Sequence, residues 1–137
     1  EKTKQPKPEK TDLGQIIRII FESIAMKCAY GIRALKDITR EPVDLIYLIG
    51  GGNGIGLLNQ MIASSTATKI IIGPTQASST GNALLQAYGC QELNSLEEIR
   101  EVVHNSFEEN VLMPLNSSEW EKRFNYFCDL CNLKTYG

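Results

Sequence analysis

The sequence predicts an α/β chain, on the strength of two short apolar runs that each end in glycine and a helical pattern between them. Leu45-Ile-Tyr-Leu-Ile49 runs into Gly50-Gly-Gly52, and Lys69-Ile-Ile-Ile72 is stopped by Gly73-Pro74. Between them Leu57, Leu58, Met61, Ile62 and Ser65 fall on one helical face. An unbroken apolar run of this length reads as a strand buried on both faces. Two strands joined through a helix run parallel, with a right-handed crossover.

The remaining elements follow in order. Residues 1–11 are polar, carry two prolines and four lysines, and read as a linker or tail. Asp12-Leu-Gly-Gln15 has the form of a capping box, in which the Asp12 carboxylate accepts an orphan N–H of the first turn. Leu13, Ile16, Ile17, Ile20, Ile24, Cys28, Ile32, Leu35 and Ile38 then recur at three and four, predicting an amphipathic helix over 12–39 that ends at Glu41-Pro42. A further helix is expected over 79–88, with Asn82 capping its start and Gly89 just past its end. Ser95-Leu-Glu-Glu98 and Ser118-Glu-Trp-Glu121 have the capping-box form for two more helices, separated by a loop over 107–117. Residues 12–137 thus form one unit. Two parallel strands alone make a poor sheet. The expectation is a piece of a longer polypeptide, with strand 45–49 offering an unpaired edge to the rest of that polypeptide or to a second chain.

Composition excludes some functions. A net charge of −2 gives no electrostatic case for nucleic acid. No run of about 18 apolar residues suggests a membrane span, and the polar start lacks a signal-peptide core. Cys128 and Cys131 have CxxC spacing, but neither His104 nor the distant Cys28 and Cys90 supply a second ligand pair, so the cysteines read as core thiols and no metal ligand is assigned. Trp120 reads as a core anchor of the last helix, His104 as a surface residue and Glu22 as a solvated or locally paired carboxylate, while for Asn59-Gln60 polar positions on an exposed helix face are one of two nearly equal accounts.

The chemistry of the glycine turn admits several readings. A P-loop needs a lysine after the glycines, and none follows. Gly50, Gly52 and Gly56 give a looser spacing than the dinucleotide fingerprint, and no carboxylate follows the second strand to hold a ribose. A strand-to-helix turn lying flat under a nucleotide base needs neither, because glycine lets the backbone approach a planar ligand. A tight turn needed only for packing fits as well.

Longer stretches carry a resemblance. Ile49-Gly-Gly-Gly-Asn-Gly-Ile-Gly-Leu-Leu-Asn-Gln60 resembles the rhamnulokinase pattern VGGGSxNxLLNQ, and Ile71-Ile-Gly-Pro-Thr-Gln-Ala-Ser-Ser-Thr-Gly-Asn82 resembles their AGPxEAxxxGN. Gln15 to Ala25 is similar to the helix before this turn throughout the FGGY sugar kinases. The match runs over most of residues 5–107.

This resemblance implies the C-terminal part of the second, nucleotide-side domain of an actin-like ATPase fold of the ribonuclease H type. It implies ATP and Mg²⁺ as cofactors, a ketose such as L-rhamnulose as substrate, and a cytoplasmic enzyme. By position, Gly51 and Gly52 are expected to contact the adenosine, Gly50 to shape the turn, and Asn53 and Ile55 to border the base. The family's Asn is replaced by Ile55 and its Glu by Gln76, which predicts weaker adenine-specific hydrogen bonding. Asp12, Asp37, Asp44 and Asp129 lie outside the family's catalytic motif. No catalytic residue is therefore assigned, and the chain alone is expected to be inactive. The alternative, favoured by Ile55 and Gln76, is a non-catalytic remnant or interaction module that kept the fold.

Overall fold

The computed structural model describes residues 12–108 and 110–135; the predicted tail at 1–11 lies outside them. The element order is α1 (Leu13–Thr39), β1 (Leu45–Leu48), α2 (Gly56–Thr66), β2 (Lys69–Ile72), α3 (Ala77–Gly89), α4 (Leu96–Ser106), β3 (Asn110–Leu112) and α5 (Ser117–Cys131). A 3-10 turn, Gly51–Gly54, joins β1 to α2.

β1 and β2 pair in parallel, Leu45 opposite Lys69 and Leu48 opposite Ile72, as the apolar runs predict. The segment expected as a loop holds a third strand. β3 pairs antiparallel with β2, placing Leu112 opposite Ile70, so the sheet is mixed and its order is β1-β2-β3. Three residues around Val111 are too short to show a strand period. β1 is an edge strand, as expected. It is not buried on both faces, however, because Tyr47 is 56% exposed while Ile46 and Leu48 pack inward.

α1 starts as predicted, with the Gln15 N–H donating to Asp12 at 2.9 Å. It ends at Arg40, whose φ of 60° is left-handed. Its packing face is made of small residues. Ala25 and Ala29 are fully buried, and α1 lies against α2, where the Ser65 hydroxyl donates to the Ala25 carbonyl at 3.0 Å. Alanine lets two helix backbones approach, which the branched residues of the stripe do not. Ile17, Ile20, Ile24, Leu35 and Ile38 consequently remain exposed.

The core is in two parts. Ala25, Leu58, Met61, Ile62, Ala63 and Ile70 fill the space between α1, α2 and the sheet. Met26, Ala29, Phe124 and Cys128 join α1 to α5, with Trp120 packed against both parts, in the anchoring role expected of it. Arg33 closes the second part, stacked 3.9 Å from the centre of the Phe124 ring and paired through both guanidinium nitrogens with Glu121.

Three predicted boundaries move. α3 begins at Ala77 and runs through Gly89, so Asn82 is a mid-helix residue and Gly89 is not the cap; the left-handed residue after the helix is Gln91. α5 begins two residues earlier than a cap at Ser118 implies, after Asn116 in a left-handed conformation and with no side-chain cap. The Ser95 box forms, its hydroxyl accepting from Glu98 N–H at 3.1 Å, while the Glu98 carboxylate accepts from Asn94 N–H instead of reaching Ser95.

Candidate functional site

The glycine turn sits at the carboxyl end of β1, beside the turn that leaves β2. Ligands of open α/β sheets bind at such carboxyl ends. The parallel pairing continues past both strands: Gly73 N–H donates to Leu48 O at 2.8 Å, and Gly50 N–H donates to Pro74 O at 3.2 Å. Gly50 has φ +95° and ψ −179°, a region essentially reserved for glycine. It precedes the 3-10 turn as its N-cap residue.

Asn53 turns inward. Its side-chain amide donates to Gly73 O at 2.6 Å and to Leu48 O at 3.3 Å, so one residue bridges the ends of both parallel strands. Both its protons are used in this way, and its Oδ1 is buried with no partner among the described residues. A buried acceptor without a donor costs about 1–3 kcal/mol. Asn59, only 2% exposed, donates from its side chain to the Asn53 carbonyl at 2.5 Å. Gln60, half-buried, donates to Met113 O at 2.9 Å, and Ser64 accepts from Leu115 N–H at 3.1 Å. Asn59 and Gln60 are therefore not an exposed polar face. They fasten the glycine turn on one side of α2 and the segment after β3 on the other. The sequence carries a signal for this at Asn59, a polar residue set among the buried positions Leu58, Ile62 and Ala63.

The opposite side of the turn is bare. A Cβ built at Gly51, Gly52, Gly54 or Gly56 meets no protein atom within 4 Å, so packing within the described residues does not require glycine there. Ile55 precedes α2 as its N-cap, makes no side-chain capping bond, and is 40% exposed. The first-turn N–H groups of α2 have no side-chain cap from it. Gln76 holds the equivalent position before α3 and is exposed. Of the expected site residues, Gly51, Gly52 and Ile55 share the exposed side, Gly50 sets the bend, and Asn53 faces the interior.

Beside the β2–α3 turn lies an apolar cleft of about 540 Å³, between Tyr47 and Ile49 of the β1 side and Leu84 of α3, Ile99 and Val103 of α4, and Phe107 just after α4. His104 is exposed at this cleft, as expected. Glu22 is locally paired, 2.9 Å from Arg18 and 3.2 Å from Arg123. Burial pushes the Cys28 and Cys128 thiols up, away from the reactive thiolate. No group of three or more His, Cys, Asp or Glu side chains among the described residues is placed to hold a metal ion.

Family comparison decides what this architecture is. The model of the FGGY family of carbohydrate kinases, C-terminal domain, matches residues 5–90. The chain belongs to this family. Residues 5–90 take in the glycine turn, both parallel strands and all of α1 to α3. The chain is 30% identical over 125 residues to a rhamnulokinase of Bacteroides thetaiotaomicron, covering 91% of this chain and 25% of that protein. It is 35% identical over 101 residues to a rhamnulokinase of Bacillus subtilis, covering 74% of this chain and 21% of that protein. The chain spans about a quarter of the length of these curated relatives. This FGGY C-terminal domain is a small mixed sheet with helices, rhamnulokinase-like in sequence. No helix among its described residues is long and apolar enough to cross a membrane.

Proposed function

We propose that this chain supplies the nucleotide-side glycine turn of a cytoplasmic sugar kinase with an actin-like ATPase fold. In its complete form the enzyme moves the γ-phosphoryl group of ATP to a hydroxyl of a ketose such as L-rhamnulose. The observation that carries the reading is the bare main chain at Gly51 and Gly52. It lies at the carboxyl ends of two parallel strands, and no protein atom occupies the space a Cβ would take. A purine ring laid there meets backbone alone, with Ile55 at its edge as an apolar contact. The base for the sugar hydroxyl, the Mg²⁺ ligands and the sugar site belong to the remaining part of the kinase, and this chain alone is inactive. Phosphoryl transfer rests on positioning and charge neutralisation, and this chain contributes to the first.

The test uses the longest natural form of the protein. At Gly51 and Gly52 a Cβ enters open space, so Gly51→Val and Gly52→Val are expected to fold, which a thermal melt of each variant checks. ATP affinity is expected to fall tenfold or more in calorimetric titration, and GTP, titrated alongside, reads base preference. Unchanged ATP affinity in both variants refutes the reading.

The second reading, a non-catalytic remnant, is favoured by Ile55 and Gln76, which put an apolar side chain and a neutral amide where the rhamnulokinase pattern has Asn and Glu. ATP titration of the unaltered protein separates the two readings. The open edge of β1 also belongs to the proposal: a strand from the remaining part of the kinase, or from a second chain, pairs along residues 45–49.

A further inference from the structure

We infer that Asn53 and Asn59 are positioning residues for the nucleotide, a two-part latch that fixes the glycine turn from beneath; this rests on the nucleotide role proposed above for that turn. Three observations combine. Asn53 holds the ends of β1 and β2 together through Leu48 O and Gly73 O. Asn59 holds Asn53 itself, by its main-chain carbonyl, from the first turn of α2. Apart from these bonds the turn is held by main-chain bonds: Asn53 N–H to Gly50 O at 3.2 Å and Ile55 N–H to Gly52 O at 3.4 Å within it, and Gly50 N–H to Pro74 O beyond β2. Both asparagine side chains are buried, and neither lies on the bare side of the turn.

A surface made only of backbone has no side chains that can adjust to a ligand. Its affinity depends on being fixed beforehand, since ordering it on binding subtracts from the binding free energy. The four residues Gly51–Gly54 include three glycines, the least restrained of residues. The order of this turn therefore has to come from below, and the two asparagines supply it. Identity matters at Asn53. A carboxamide carries two protons and reaches both strand ends, whereas serine, the residue at this position in the rhamnulokinase pattern, carries one and reaches a single carbonyl. The Asn53 Oδ1, turned away from the two strand carbonyls, accepts from no donor among the described residues.

The experiment compares Asn53→Ser and Asn59→Leu with the unaltered protein in its longest natural form. Two readouts are taken, hydrogen exchange of the Asn53 and Ile55 amides and the dissociation constant for ATP, with the Michaelis constant for the sugar as control. Asn53→Ser keeps a small polar group and one donor, so it remains informative if Asn59→Leu fails to fold. The expected result is amide exchange at least tenfold faster in the turn. ATP affinity falls fivefold or more, and the sugar constant stays within twofold. Unchanged exchange overturns the latch. Faster exchange with ATP affinity within twofold overturns its positioning role. If the unaltered protein binds no ATP, the nucleotide reading falls with that result and takes the positioning role with it; exchange then reads only whether the two asparagines order the turn.

Discussion

On one face of the sheet, α1 and α2 bury Ala25, Leu58, Met61, Ile62 and Ala63 against Ile70, and polar side chains tie the layers together at Ser65, Asn59 and Gln60. On the other face, α3 and α4 contribute no fully buried residue, and Tyr47, Ile49 and Leu85 are all more than half exposed. Both faces are backed by two helices that carry apolar side chains, so the presence of helix does not explain the contrast. Apolar positions exist on both sides, but within this chain only one side has something to pack against. The glycine turn is built on the finished side. A turn that presents backbone to a ligand needs a rigid support, whereas the outer helices stand over an apolar cleft.

Stability measurements can break this comparison directly. Phe124 is fully buried beneath Arg33, and Phe124→Ala is expected to cost about 3–5 kcal/mol in urea denaturation. Leu85 is 61% exposed on α3, and Leu85→Ala should stay within about 0.5 kcal/mol. Comparable losses at both sites would show that the outer helices are as firmly packed as the inner ones.

A sharper contrast lies inside the turn. Gly50→Ala forces a side chain onto a backbone at φ +95° and should destabilise by about 1–3 kcal/mol. At Gly51 neither backbone nor space opposes a Cβ, so Gly51→Ala should be near neutral. Adjacent glycines would thus separate into one needed by the fold and one needed by the ligand. Equal losses in thermal melts would remove that separation and favour a turn shaped by packing alone.

The same division explains what the sequence made legible. Strands β1 and β2, the turn between them and α1, α2 and α4 follow from apolar period, glycine and Ser/Asp caps, which are local signals. β3 is three residues long and is defined by its pairing to Ile70–Ile72, a contact that no local pattern encodes. The stripe of α1 was legible as a period but not as an interior, because the contacts with α2 and α5 buried Ala25 and Ala29 rather than Ile20 and Ile24. At the site, Gly50 was legible from its residue type. Asn53 and Asn59 take meaning only once their carbonyl partners at Leu48, Gly73 and Asn53 itself are brought near in space.

Ile55 tests whether a single departure acts on the fold or on the ligand. As the uncapped N-cap of α2, it leaves first-turn N–H groups without a side-chain acceptor. Ile55→Asn supplies one and should stabilise the protein by about 1 kcal/mol, measured by denaturant midpoint. Should ATP bind more tightly as well, by more than the added helix order accounts for, the asparagine also reads the base. Stabilisation with unchanged affinity assigns the position to helix capping, and the predicted weakness in adenine recognition then has no source here.

The smallest expected effect belongs to the α1–α5 contact. Hydrogen bonding to Arg33 holds the Glu121 carboxyl below its ordinary value of 4.5. A carboxylate with a depressed folded pKa stabilises the protein above its unfolded pKa, and the contribution disappears as pH falls through the folded value. The side chain of Glu121 is half exposed, which limits the pair to about 0.2–1 kcal/mol. Glu121→Gln should therefore lower stability slightly at neutral pH, and its difference from the unaltered protein should shrink as pH drops below 4.5. A difference that stays constant into acid would assign the loss to packing around the Arg33–Phe124 stack. In that case the α1–α5 contact would be held by shape alone, unlike the α1–α2 crossing, where Ser65 donates to the Ala25 carbonyl.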